Sequence, residues 1–294
     1  MTPKRKRTFL LGLFAAFIII IPVLILYSSG YRVSSKLKLV KTGGIYLAND
    51  ELDAYVKING KEKKRADFLE RSMLVRNLRP ATYNVRVEKN GYRVWEKNVT
   101  VQEHMVEVCY PLLIPEKLNP EMIPKTIKIE SDKKGVKPKF ENNDEFFEAI
   151  ELFKLQDKPA KGFIPGWDSG DVKKLKLGAD RKLRSKVFLS REGNKIFVKW
   201  IGSKEKRPFF IDSEKKKVAY APDQKILSFG FFPGRDDSML VLLADKTLYA
   251  VEIDTRFDMQ NVYKIAQNCS RFADSDELLY YSAGGNLFKI DFNP

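Results

Sequence analysis

The sequence predicts a mainly β protein attached to a membrane by one N-terminal helix. Three observations point there. A long uncharged apolar run lies near the start of the chain. Strand-period alternation broken by Asn-Gly pairs follows it. A repeat of hairpin-like segments fills the last third.

The apolar run is FLLGLFAAFIIIIPVLILY, from Phe9 to Tyr27. At about 1.5 Å per residue it reaches across a hydrocarbon core of ~30 Å. Pro22 is compatible with a bilayer helix, where neighbouring groups absorb a kink. Lys4, Arg5, Lys6 and Arg7 precede the run directly, which predicts a cytoplasmic N-terminus and an extracytoplasmic bulk. Arg32, Lys36, Lys38 and Lys41 oppose that orientation from the other flank. A cleaved signal peptide is the rival reading, with Ser28, Ser29 and Gly30 as its small residues. The length of the run favours an uncleaved anchor over the shorter apolar region of such a peptide. The lipid bilayer is thus the first expected partner, through Phe9 to Tyr27.

Residues 36–115 read as a first β domain. Ala54, Val56 and Ile58 alternate with Tyr55 and Lys57 before Asn59-Gly60. Tyr83, Val85 and Val87 alternate with Asn84, Arg86 and Glu88 before Asn90-Gly91, and Val99, Val101, Val106, Val108 and Tyr110 continue the pattern. Alternation of this kind predicts sheets buried on one face, as in an antiparallel sandwich. Only the charged stretch 61–71 leaves room for a helix. The segments DAYVKING (53–60), NLRPATYNVRVEKNGYRVWEKNVTV (77–101) and EVCYPLL (107–113) resemble the PEGA domain, a small β-sandwich module of bacterial and archaeal surface proteins. Leu78, Pro80, Lys89, Gly91 and Tyr92 fall on that family's leucine-proline turn and lysine-x-glycine-tyrosine corner. Ala81 stands where the family has glycine, and of the eponymous run only Asp53-Ala54 is present. The resemblance implies a structural or binding module. Tyr92 and Trp95 are large enough to fill the space between sheets. Core packing is the expected role of Tyr92, while for Trp95, flanked by charged residues, a sugar-stacking surface with Tyr92 and Arg93 is the alternative.

Residues 116–184 are dotted with proline and read as a linker. Within it DEFFEAIELFKL (144–155) has helical spacing at Phe146, Phe147, Ile150 and Phe153, with Asp144 as cap. The expected helix packs on a neighbouring domain, because its acidic polar face suits an anionic bilayer poorly.

Residues 185–294 contain a repeat. SMLVLLADKTLYAVEI (238–253) lies over ELLYYSAGGNLFKIDF (277–292) without a gap. A weaker copy sets SREGNKIFVKW (190–200) over PGRDDSMLVLL (233–243) and resumes at Phe209 to Asp212. Periods near 40 with four short strands mark propeller blades, and the stretch resembles WD40-like and PD40-like repeats in architecture. About three copies are visible, fewer than the 4 to 8 blades of closed propellers. A degenerate blade around Lys173 to Leu177, completion by a partner or second copy, or an ordinary sandwich would each resolve the shortfall.

Net charge is +15, divided as +4 over 1–30, +6 over 31–115, +3 over 116–185 and +2 over 186–294. The excess is spread, and no Lys/Arg block beyond Lys4 to Arg7 has the character of a nucleic-acid arm, so nucleic acid is not the expected partner. A basic surface suits anionic envelope components instead. The one histidine, His104, and two distant cysteines, Cys109 and Cys269, argue against zinc sites, His-based triads and a disulfide scaffold. Phosphate loops, nucleophile elbows and calcium loops are absent. The acidic clusters Asp236-Asp237 and Asp274, Asp276, Glu277 fall in expected turns, where Asp bonds its own backbone.

No catalytic, cofactor-binding or metal residue is assigned. The expected function is a non-enzymatic, membrane-anchored envelope protein that binds protein, glycan or wall polymer. A surface polyanion or nucleic-acid binder and a carboxylate-based glycan-acting enzyme are the alternatives. Oligomerisation is left open.

Overall fold

The computed structural model describes residues 3–33, 38–48, 54–65, 72–129, 139–157, 180–213, 215–254, 256–257, 259–275 and 277–292. The fold is mainly β, led by one apolar helix, and the chain divides into two compact units. The first comprises residues 1–88 and 96–111, the second residues 89–95 and 112–294.

The first unit opens with helix α1 (Pro3–Ser28), which runs through Pro22. A short hairpin follows, β1 (Tyr31–Val33) with β2 (Leu39–Lys41). Two sheets then form. One is three-stranded, in the order β6-β3-β9, from β3 (Gly43–Ala48), β6 (Ser72–Leu78) and β9 (Val106–Cys109). The other is four-stranded, in the order β5-β4-β7-β8, from β4 (Tyr55–Ile58), β5 (Lys61–Arg65), β7 (Ala81–Glu88) and β8 (Trp95–Val101). Trp95 itself groups with the second unit. Alternate residues are buried: Ile45 and Leu47, Val56 and Ile58, Val85 and Val87, Val99 and Val101. The predicted alternation is therefore the observed one, and each sheet turns one face inward.

Asn59 and Gly60 both have positive φ (50° and 73°), as a two-residue hairpin turn requires, and they join β4 to β5. The stretch from 61 thus continues as strand through Arg65, not helix, and residues 66–71 lie outside the described set. Asn90-Gly91 behaves differently. Only Gly91 has positive φ, and the six residues Lys89 to Val94 separate β7 from β8. The expected all-antiparallel pattern also fails at one place, since β9 runs parallel to β3. Gly43 permits this, because a Cβ there would collide with the Gln102 and Met105 carbonyls.

The second unit holds three four-stranded antiparallel sheets. In chain order its elements begin with β10 (Glu121–Ile123), the hairpin β11 (Thr126–Ile129) with β12 (Lys139–Asn142), and helix α2 (Asp144–Asp157). The first of the four-stranded sheets follows as β13 (Arg181–Arg184), β14 (Val187–Glu192), β15 (Lys195–Trp200) and β16 (Lys217–Tyr220). The second contains β17 (Ile226–Phe231), β18 (Ser238–Leu243), β19 (Leu248–Glu252) and β20 (Val262–Ala266). The third contains β21 (Cys269–Asp274), β22 (Leu278–Ala283) and β23 (Asn286–Asp291), and β10 pairs with β23 to complete it.

The strong repeat is observed as read, with β18-β19 over β22-β23 in the same sheet positions. The weaker copy is displaced by one strand. It matches β15, third in its sheet, to β18, second in its own. Period-two apolar runs carry no mark of strand position, so alignment alone could not tell the two apart. Phe209 and Phe210 lie in a turn, and the strand expected there is β16 at Lys217–Tyr220. The degenerate strand sought at Lys173 to Leu177 lies outside the described residues.

The middle segment contributes more than a linker. Asn143 accepts the Glu145 amide at 3.2 Å and so caps α2 one residue ahead of the expected Asp144. The helix buries Ala149 and Phe153 against Ala273, Tyr280 and Leu287 of the third sheet, joined by Ile123 from β10. The other face of that sheet, through Phe272, Leu279, Tyr281 and Ile290, packs on Leu240, Leu242 and Leu248 of the second. The second sheet turns Met239, Val241 and Val251 to Val187, Leu189 and Ile196 of the first.

Ile123 is 3% exposed while its neighbour Met122 is 54% exposed. Ile123→Ala is expected to cost the second unit about 2–4 kcal/mol. Met122→Ala is expected to stay within about 0.5 kcal/mol. Urea unfolding of both variants in detergent checks the pair.

Candidate functional site

Two regions concentrate polar chemistry, and both lie within the second unit. The first surrounds the loop between β17 and β18, the run PGRDDS at 233–238. Arg235 donates to both carboxylate oxygens of Asp237 at 2.8 and 2.7 Å, and Ser238 lies 3.1 Å from the same carboxylate. Arg184, at the end of β13, donates to the backbone carbonyls of Phe232 (2.6 Å) and Arg235 (3.1 Å) and pairs with Asp274 at the end of β21. One guanidinium therefore ties all three sheets together. A planar fork with five donors in fixed directions can serve several acceptors at once.

Burial pushes the Asp274 carboxyl above its ordinary value, with Arg184 opposing the shift. Burial also raises Asp236, helped by the charge of Asp237 beside it. The sequence placed these aspartates in turns, and the structure brings two of its acidic clusters together through Arg184. It also adds roles that turn chemistry did not foresee. Asp276 lies outside the described residues, and Glu277 is exposed.

A second buried acid sits nearby in the chain. Glu252, 3% exposed on β19, accepts from the Trp95 indole at 2.5 Å and from the Asn261 amide at 3.0 Å. Gln260 donates to its backbone carbonyl and to that of Ala219. Arg93 donates to the Lys264 carbonyl at 2.6 Å, and the Tyr263 hydroxyl donates to the Val94 carbonyl at 3.1 Å. Segment 89–95 is thereby bound to β19 and β20. Trp95 is a core residue with its one polar atom satisfied, and no sugar-stacking surface of Tyr92, Arg93 and Trp95 forms. Tyr92 is half-buried under the Lys89 ammonium, 4.1 Å from the ring centre. The only sequence signal for this network was a charged residue between Val251 and Ile253, both buried.

The second region is an open cavity of about 400 Å³ beside β23. Lys117, Glu121, Lys289 and Asp291 face it together with Leu118 and Leu278. Lys289 is held by Glu145 at 2.9 Å and Glu121 at 3.3 Å, and the hydrogen bond to Glu145 raises its pKa. Charges of both signs line a shallow wall, which gives no preference for an anion or a cation. Among the described residues no three His, Cys, Asp or Glu side chains converge as a metal site. His104 is exposed in the loop before β9 with φ of 61°.

Helix α1 differs from the other elements among the described residues. From Phe9 to Ser28 it has no charged residue, and no part of that stretch is buried within the described protein. Phe9, Phe17 and Ile19 are each more than 60% exposed.

No protein-family model matches the chain, and no curated protein matches it. Among solved structures, a chain of the Saccharomyces cerevisiae assembly of a Dbp5 point variant bound to Nup159, a Gle1 point variant, IP6 and ADP is similar over 44% of this chain and 33% of that one, at 10% identity and a TM-score of 0.26. The chain thus spans about a third of that neighbour, and a likeness of this size carries no argument about fold or function.

The Asp274 and Asp236 contributions to stability are complete below the ordinary carboxyl value of 3.8 and fall as pH rises through the raised folded values. Arg184→Met is expected to cost about 2 kcal/mol by stranding Asp274. Asp274→Asn should flatten the decline between acid and neutral pH in a series of urea midpoints. Separately, burial pushes the Cys269 thiol up to about 12, and Cys109 is buried too. Iodoacetamide at pH 8 should leave both unmodified in the folded chain and label both in urea, read by mass.

Proposed function

We propose that this chain is a single-pass membrane protein whose β-rich remainder stands outside the cytoplasm, where it acts as a non-enzymatic binding or structural module of the cell envelope. Helix α1 carries the reading. Its span Phe9–Ser28 has twenty residues, close to the length a hydrocarbon core of ~30 Å requires. Each large apolar side chain left in water forgoes about 1.5–3 kcal/mol of transfer free energy. A bilayer supplies the missing apolar surroundings along the whole length.

The orientation follows from Lys4 to Arg7, which favour the cytoplasmic side for the N-terminus. In this reading residues 36–115 are a PEGA-like sandwich, supported by the two sheets of the first unit that each bury one face. The three four-stranded sheets of the second unit are propeller-type blades. Their meander order supports this, as does the recruitment of β10 from upstream to complete the last sheet. Both architectures serve elsewhere as scaffolds for loops that bind. The polar clusters support a binding or structural role over catalysis. Asp237 and Asp274 are neutralised by Arg235 and Arg184, and Glu252 is closed off by Trp95 and Asn261.

Protease added to intact cells or spheroplasts carrying a C-terminally tagged chain tests the proposal. The tag should be digested without lysis while an N-terminal remnant stays in the membrane fraction. A tag protected until lysis would place the bulk in the cytoplasm and end the envelope reading.

A further inference from the structure

The hairpin that follows α1 is joined tightly to the end of the helix. Gly30, with φ of 83°, turns the chain, and its carbonyl accepts both the backbone amide and the hydroxyl of Thr42, at 2.9 and 2.8 Å. The Arg32 guanidinium lies 3.6 Å from the Tyr27 ring centre and donates to the Tyr27 and Tyr31 carbonyls at 2.8 Å each. Tyr27 belongs to the last helical turn, whose carbonyls lack helical partners and attract a cation. The hairpin therefore cannot swing freely away from the helix end.

Register assigns its faces. Tyr31 pairs with Lys41, Arg32 with Val40 and Val33 with Leu39. Directly opposed residues share a face, and so do residues two apart along a strand. Tyr31, Val33, Leu39 and Lys41 thus lie on one face, while Arg32 turns to the helix. Val33 is 50% exposed and Leu39 is 59% exposed, and they form a cross-strand apolar pair open to the surroundings. The Lys41 ammonium sits 5.6 Å from the Tyr31 ring centre, and Lys38 is exposed beside Leu39. The first carboxylate in the whole chain is Asp50, so no acid on this segment offsets Arg32, Lys38 and Lys41.

The position along the bilayer normal follows from length. The span ends at Ser28, and the headgroup layer occupies roughly the next 5–7 Å on each side of the core. A hairpin that begins at Tyr31 and is bonded back to Tyr27 and Gly30 falls in that layer. Tyr, a Lys/Arg set and exposed aliphatic residues are the composition that the interface favours.

We propose that the hairpin of β1 and β2 is a lipid-binding element. Val33 and Leu39 enter the boundary between headgroups and acyl chains, and Lys38 and Lys41 meet the phosphates of anionic phospholipids. The inference rests on α1 being a membrane span. It adds a second, charge-selective contact between the chain and the outer leaflet, one that fixes the exit angle of the protein from the bilayer.

The test uses the full chain with Leu39→Cys carrying an environment-sensitive fluorophore; the buried native cysteines leave that site as the target. The protein is reconstituted into vesicles of phosphatidylcholine alone, or with phosphatidylglycerol, each containing lipid brominated near the headgroup. Flotation of the vesicles is read alongside. The expected result is co-flotation in both, with quenching at position 39 at least twofold greater in the anionic vesicles. That difference should vanish in Lys38→Glu/Lys41→Glu or at high salt. Because the label could perturb the pair it replaces, amide hydrogen exchange of the unlabelled chain gives a second readout, with slower exchange at 31–33 and 39–41 expected in anionic vesicles. Co-flotation with no quenching and unchanged exchange would overturn the lipid contact and leave the anchor standing. Equal quenching in both vesicle types would overturn the selection of anionic headgroups. Failure to float would remove the anchor, and this proposal with it.

Discussion

Every residue of β18 from Ser238 to Leu243 is buried, so the second sheet must be covered on both faces. That single constraint arranges the rest of the second unit. Met239, Val241 and Leu243 point to the first sheet, and Leu240 and Leu242 point to the third. A strand alternating between two apolar faces cannot lie at a surface, whereas β15, with Lys195 and Lys199 exposed and Ile196, Val198 and Trp200 buried, needs cover on one side only. The third sheet faces the same requirement through Ala273, Tyr280 and Leu287, and α2 meets it with Ala149 and Phe153. A helix thus supplies the cover that another sheet would otherwise provide.

Layers held by apolar contact alone could slide, because such contacts are non-directional. The polar network counters this. Arg184 reaches across from β13 to the loop after β17 and to the end of β21, so its hydrogen bonds fix the sheets at one edge. Glu252 does the same for segment 89–95 through Trp95. Both groups are buried enough that an unmet partner would be costly, and directional bonds of that kind specify one arrangement among several that burial would accept. Asp237 and Asp274 are each half of an ion pair, with Arg235 and Arg184, whereas Glu252 is held by the neutral donors of Trp95 and Asn261.

The first unit is organised around a different boundary. Its helix has no use for water along Phe9–Ser28, and the bonds from Arg32 and Thr42 set the direction in which the chain leaves the helix. The apolar helix and the start of the β structure are therefore one continuous covalent and hydrogen-bonded joint, with no slack segment between Tyr27 and Val33.

Local signals in the sequence were enough to determine the apolar helix, the β4-to-β5 turn at Asn59-Gly60, the alternating strands 83–87 and 99–101, the amphipathic helix near 144–155 and the repeat of β18-β19 in β22-β23. Each depends on residues within a few positions of one another, where period and turn chemistry are decisive. What pairs over distance was not legible. The parallel contact of β9 with β3, the addition of β10 to β23 across more than 150 residues, and the one-strand shift in the weaker repeat are choices among strands with equivalent local patterns. The same holds for the polar clusters. Asp274 and the Asp236-Asp237 pair read as separate turn residues, Trp95 read as a core or stacking residue, and Arg184 carried no signal, because a side chain's partner is set by which backbones burial brings together. Local sequence chose the elements, and the need to cover both faces of the central sheet chose their neighbours.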